Sequence, residues 1–263
     1  MDIRALCGDL EAEQAVIDQL VAPLDEPAWS TPTPAEGWTI RHQIGHLAYF
    51  DEAATKAARD PVAFEAERDA ALLRKEFGDE VAAASAARSG LATLDWWRQS
   101  RAAFLTVFRS LDPKQRIPWY GPAMSATSKV TARLMETWAH GQDIADALGV
   151  TRPATDRLRH VAHIGVGARP FSYLARGLEA PKEPVRVELR APSGELWTWG
   201  PAEAGDVVRG PALDFCLVIT QRRNRADGDL TATGPLADEW LSIGQAFAGP
   251  PGPGRRPGQF KKQ

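Results

Sequence analysis

The 263-residue chain reads as mainly α with an α+β appendage. Three observations carry that reading. Apolar residues recur at three- and four-residue steps through most of residues 1–178, the spacing of amphipathic helices. The period then shortens to two in PVRVELRAP and ELWTWG, so residues 179–248 form a small α+β domain. The end, GPPGPGRRPGQFKKQ, has Pro and Gly throughout, four basic residues and no acid, so 249–263 is expected to be a disordered tail.

The elements follow in order. Residues 3–24 place Ile3, Leu6, Leu10, Ile17 and Leu24 on one helical face, and the Pro-rich stretch from Pro27 stops that helix. Thr39 is a natural N-cap for a helix through Ile44, Leu47 and Phe50, which Asp60-Pro61 ends. A charge-rich helix is expected over 62–77 and an Ala-rich one over 80–88, followed by a better-defined helix over 90–111. The loop IPWYGPAMSATS leads into long helices at 125–148 and 153–177, with Gly149 as C′ residue between them. Pro-Ser-Gly joins the two alternating segments as a hairpin, a short strand is expected at 206–209, and helices at 211–223 and 235–247 complete the order.

Composition excludes several classes. With 44% hydrophobic and 25% charged residues the chain is globular, neither disordered nor collagen-like. A net charge of −3, from 31 basic against 34 acidic residues, gives no overall attraction to nucleic acid or anionic membranes. No apolar run approaches the ~20 residues of a membrane span. The first residues contain no secretory h-region, and Cys7 and Cys216 are too few for a disulfide framework. The expected setting is the cytoplasm, with both thiols reduced and buried.

Ligand-type residues stand on otherwise apolar helix faces. Glu136 and His140 are four apart, so both leave one face of a helix, a spacing that suits two ligands of one first-row metal ion. The same spacing also occurs in plain surface pairs. A third ligand must come from another helix; His46 suits, although His42 lies one turn before it and spacing alone leaves the choice open. His160 and His163 form a further pair that suits a helix surface. Trp119 and Tyr120, in a Pro/Gly loop, would wall a pocket or cap the bundle. Arg133, three residues before Glu136, could orient it or an anionic substrate, or lie on the surface; Asp143 could accept the free ring N–H of His140. Arg222 and Arg223 could bind an acidic ligand group or serve the end of a helix.

Taken together, TIRHQIGHLAYFDEAA and WYGPAMSATSKVTARLMETWAHGQDIADALG resemble the mycothiol-dependent maleylpyruvate isomerase group of the DinB-like metal-binding superfamily. The resemblance implies a four-helix bundle holding a divalent metal, zinc foremost, with nickel or iron suited to the same donors. It matches His46 to the single histidine of the second helix and Glu136 and His140 to the later pair. The remainder, VRVELRAPSGELWTWG and RGPALDFCLVITQRRN, is similar to small sterol-carrier-like α+β modules. The activity so implied is a thiol transfer or thiol-assisted isomerisation of a small electrophilic substrate. Mycothiol would be co-substrate, Arg133 and Tyr120 catalytic, and Trp119 and Arg222 would contact the cofactor. Two other readings stay open: a metal-dependent hydrolase or cyclase without thiol, and a non-catalytic metal- or small-molecule-binding protein. The expected partners are a small-molecule substrate and the thiol, with neither nucleic acid nor membrane, and a homodimer is compatible with this reading.

Overall fold

A computed structural model describes residues 2–73, 81, 84–252 and 254–260, and divides the chain into two compact units, Met1–Val150 and Thr151–Gln263. Among the described residues no helix is long and apolar enough to cross a membrane.

The first unit is a helical bundle. Its helices are α1 (Ile3–Val21), α2 (Ile40–Arg59), α3 (Pro61–Leu72), α4 (Gly90–Phe108) and α5 (Ala126–Leu148). A short antiparallel pair, β1 (Arg116–Ile117) and β2 (Met124–Ser125), joins α4 to α5, with Ile117 opposite Met124. Helix α2 packs on α4 and α5, and α1 on α5 and α4, so four long helices close around one core. Ile17, Ile40, Ile44, Leu47, Trp97 and Ile144 meet there without solvent contact.

Local chemistry sets the helix ends. Asp60 accepts the Ala63 amide at 3.0 Å while Pro61 opens α3, and Ser89 accepts from Ala92 at 3.2 Å to open α4. Gly149 ends α5 at φ +67°, as the sequence anticipates. At Gly45 a Cβ would collide with the Ser85 side chain, so glycine lets α2 sit close to that segment one residue before His46. The expected 62–77 helix ends at Leu72 within the described residues; of the 80–88 expectation, 81 and 84–86 are helical, and 80, 82 and 83 lie outside the described residues.

The second unit contains α6 (Leu158–Gly167), α7 (Arg169–Leu174), α8 (Ala212–Ile219), α9 (Pro235–Ile243) and a mixed four-stranded sheet. Its strands are β3 (Val185–Arg190), β4 (Leu196–Trp199), β5 (Asp206–Pro211) and β6 (Thr231–Thr233), in the order β4-β3-β5-β6. The expected hairpin is there: β3 and β4 pair antiparallel, with Leu189 opposite Trp197. Strand β5 runs parallel to β3, Val208 beside Val187, and β6 closes the edge antiparallel to β5. Val187, Leu189, Val208, Phe215 and Trp240 fill the core.

Three expectations are corrected here. The single helix over 153–177 is two helices broken at Ala168, because Pro170 has no amide for the preceding turn and its ring disfavours a helical residue before it. The unit boundary lies at 150/151 rather than 178/179. Helix α6 packs on α8, where a Cβ on Gly165 would come 2.9 Å from Ile219, and this ties α6 to the sheet unit. The described part of the tail is also held. Asn224 donates to the Arg255 carbonyl at 2.8 Å, the Gly258 amide donates to Asp227 at 2.7 Å, and the Arg223 guanidinium lies 4.1 Å from the Phe260 ring centroid.

Candidate metal centre

Helices α2 and α5 bring His46, Glu136 and His140 to one point. His46 Nε2 lies 3.7 Å and His140 Nε2 3.2 Å from the same carboxylate oxygen, Glu136 Oε2, and the two imidazole centroids are 4.4 Å apart. One donor atom from each residue lies within 4.8 Å of the others. Four tetrahedral ligands at about 2.0–2.1 Å from an ion stand about 3.3–3.4 Å from one another, so this trio is already close to ligand spacing.

The protonation states suit an ion. Burial, reinforced by the neighbouring His140, pushes His46 down to about 4, so its imidazole is neutral at pH 7 and has a lone pair to offer. Burial alone would raise Glu136, but hydrogen bonds to His140 and His46 outweigh it and hold the carboxyl well below its ordinary range. The far nitrogen of His140, Nδ1, meets Gln43 Oε1. Gln43 in turn donates through Nε2 to Thr33 Oγ1 at 2.9 Å, and Thr33 donates to the Trp38 carbonyl at 2.8 Å. That chain fixes the amide so that its oxygen accepts from His140 Nδ1, and it leaves Nε2 as the ring atom that faces Glu136 and would ligate an ion placed between them.

Aromatic rings enclose the trio. Trp38, just before the start of α2, stacks on His140 with centroids 5.9 Å apart at 17°, and lies 5.3 Å from His46. Phe50 is 4.6 Å from His46 on the other side and reaches Trp119 and Tyr120 at 5.9 and 5.8 Å. Trp119 is stacked on Phe64 of α3, and the Lys129 ammonium sits 3.1 Å from the Trp119 ring centroid. Trp119 and Tyr120 are therefore an outer wall, separated from the ligands by Phe50. Burial, with Tyr49 nearby at 3.4 Å between hydroxyls, raises the Tyr120 phenol and keeps it protonated.

Other candidates lie elsewhere. Arg133 is not on the surface: it is buried, donating Nε to Asp51 at 2.9 Å and Nη2 to the Leu47 carbonyl at 3.0 Å, which ties α5 to α2. Asp143 does not receive the His140 N–H; Gln43 does, because that ring edge faces α2. His42 is outside the trio, its Nδ1 accepting the Thr39 amide at 3.1 Å at the start of α2. His163, which accepts from Trp199 at 3.3 Å, belongs to the second unit, as do His160 and Arg222; the latter donates to the Thr220 carbonyl and lies over Phe247. Both cysteines are buried, and burial raises both thiols, Cys7 to about 11, so neither is a ready nucleophile. Gln43 and Trp38 are the site residues that sequence reasoning missed.

The family model for the mycothiol maleylpyruvate isomerase N-terminal domain matches residues 10–145, a span that contains all three ligand-type residues. The chain belongs to this family. A second model, for wyosine base formation, matches residues 181–233. An uncharacterized protein of Mycobacterium tuberculosis, known from two strains, is 49% identical over 249 residues, spanning 94% of this chain and 97% of its own. Crystal structures of the mycothiol-dependent maleylpyruvate isomerase and of a mutant form superpose with a TM-score of 0.60, covering 88% of this chain and 93% of theirs. At 18% identity that likeness establishes the shared fold.

Proposed function

We propose that the protein is a metal-dependent enzyme that uses an external low-molecular-weight thiol of the mycothiol class. The chemistry would be S-transfer to, or thiol-assisted isomerisation of, a small electrophile. The convergence of His46, Glu136 and His140 carries this reading. Three protein donors leave a coordination position for an exogenous ligand, as catalytic zinc sites do, whereas closed structural sites use four. The donor set suits zinc first and nickel or iron next. When bound, such an ion would lower the pKa of a coordinated thiol and polarise a carbonyl.

The chain's own residues prepare that position. Gln43 orients His140, Glu136 supplies the negative charge, and neutral His46 completes the set. Trp38 and Phe50 press on the imidazoles and limit water around them. The outer wall of Trp119 and Tyr120 offers flat faces to an unsaturated substrate. The thiol comes from outside, since Cys7 and Cys216 are buried and their thiols raised.

The test uses cobalt(II) as a spectroscopic stand-in. Stoichiometric uptake, followed by new near-ultraviolet charge-transfer absorption on adding a small thiol, is the expected result. Metal uptake without a thiol response overturns the thiol reading in favour of hydrolysis or cyclisation, and no uptake overturns the metal reading itself. In His140→Ala two protein ligands remain, so metal affinity should fall by orders of magnitude while the helical circular dichroism is retained, since the apolar helix faces hold the bundle. Unchanged metal affinity in that variant would remove the proposal.

A further inference from the structure

Helix α5 carries Lys129 four residues before Arg133 and seven before Glu136, so the three leave one face of the helix. Arg133 is held by Asp51, and Glu136 faces the two histidines. Lys129 has no such counterpart. It is 1% exposed, and among the described residues its ammonium makes no hydrogen bond and no ion pair. It rests on the Trp119 ring, with Nζ 3.1 Å from the centroid. The acids of the neighbouring helices are engaged elsewhere: Asp51 with Arg133 at 2.9 Å, Glu67 with Lys56, and Asp69 with Arg68 at 2.8 Å.

Buried cations are ordinarily paired with acids. A ring face offsets only part of what an ammonium loses on leaving water. Burial, reinforced by the Arg133 guanidinium, pushes Lys129 down to about 6, the behaviour of a cation short of negative charge. Glu136 counteracts this from a distance, and an ion on the trio would draw that charge to itself. The position adjoins the trio. Trp119 lies 5.9 Å from Phe50, and Phe50 4.6 Å from His46, between ring centroids. Lys129 and Glu136 are roughly 10 Å apart along the helix axis, the length of a small extended molecule.

We infer that Lys129 is an anion-binding residue of this site, which holds a carboxylate of the electrophile and so selects acids over neutral molecules of the same shape. Naming the ligand as the electrophile rests on the thiol-transfer reading above; the anion site itself needs neither thiol nor metal. An arriving carboxylate favours the ammonium over the amine, so the pair forms charged. Charge-assisted hydrogen bonds are the strong ones, and more so in a buried place. Arg133 does not compete for the ligand, because Asp51 and the Leu47 carbonyl already take its donors.

The experiment titrates the full-length protein with crotonate and, separately, with its neutral isostere crotonamide, at pH 7, constant ionic strength and without thiol. Wild type, Lys129→Met and His140→Ala are compared. Wild type should bind the acid at least about tenfold more tightly than the amide, the margin of a charge-assisted hydrogen bond. Lys129→Met should bind acid and amide alike, with melting curves confirming that it is folded; should it not fold, Lys129→Gln carries the comparison. His140→Ala should keep the preference for the acid, because the carboxylate rests on Lys129 and not on an ion. That result would stand even if the cobalt titration overturned the metal or the thiol reading. No saturable binding of crotonate at concentrations on the order of 10 mM, no preference over the amide in the wild type, or a preference unchanged in Lys129→Met overturns the proposal. A preference lost in His140→Ala and kept in Lys129→Met would place the carboxylate on the ion, and overturns it equally.

Discussion

His140 is held from both ends, and its outer end determines what the inner end can do. With Nδ1 on Gln43 and Nε2 facing Glu136, the ring has one orientation. Gln43→Leu should lower metal affinity about 10- to 100-fold, the usual consequence of removing such an outer partner. It should also cost about 1–3 kcal/mol of stability for the stranded N–H; metal titration and thermal melts check the two effects separately. The ligand pair was legible because Glu136 and His140 are neighbours on one helix. Gln43 was not, because an amide three residues before His46 acquires its role only from the register of α2 against α5.

Lys129, on the ligand helix, makes a second case. Burial pushes its ammonium from an ordinary 10.5 down to about 6. Between those two values the unfolded chain binds a proton that the folded one does not, so this residue's contribution to stability rises with pH through that window. Replacing it with methionine removes the burial penalty. Lys129→Met should therefore raise stability by about 1–3 kcal/mol at pH 7, the Trp119 ring having returned part of the burial cost to the charged form. The gain should shrink towards pH 10. Melting curves across that range check it, and a gain that grew with pH would contradict the assignment.

Between elements, the decisive contact is Arg133 on Asp51. Its helix position, three residues before Glu136, was equally compatible with a surface side chain, and only the packing of α5 on α2 makes it a buried cross-link. It acts on the site by fixing the two ligand-bearing helices against each other. Arg133→Met leaves Asp51 buried without its cation and should cost about 3–5 kcal/mol. The double variant Arg133→Met/Asp51→Leu should recover most of that loss, because neither charge is then stranded. A denaturation cycle over the four proteins measures the coupling; strictly additive losses would show that the pair is not the link. The break at Ala168 was legible in principle, since Pro170 marks it, but a helical period continuing to Leu174 hid it.

For the molecule as a whole, periodicity identified the secondary structure but not its allegiance. The helices after residue 151 look like more bundle, yet α6 packs on α8 through Gly165 and belongs with the sheet. Composition likewise marked 249–263 as a mobile tail, because Pro and Gly cannot build a core. What anchors the segment is invisible to composition: a backbone carbonyl at Arg255, a backbone amide at Gly258 and one ring at Phe260. Gln245 also donates to the Gly249 carbonyl at 2.9 Å. Each neutral hydrogen bond is worth about 0.5–1.5 kcal/mol net, against the entropy of ordering the segment, so a net loss of about 1 kcal/mol is expected on removing it. For a unit of this size that corresponds to roughly 4–8 °C. Truncation after Ala248 should therefore lower the melting temperature of the second unit by about that much. Metal stoichiometry should be unaffected, because all three ligands lie in Met1–Val150. Calorimetry and metal analysis on one truncated preparation decide it: an unchanged melting temperature would mean that these contacts only balance the cost of ordering, and a loss of metal would mean that the two units do not hold their sites independently.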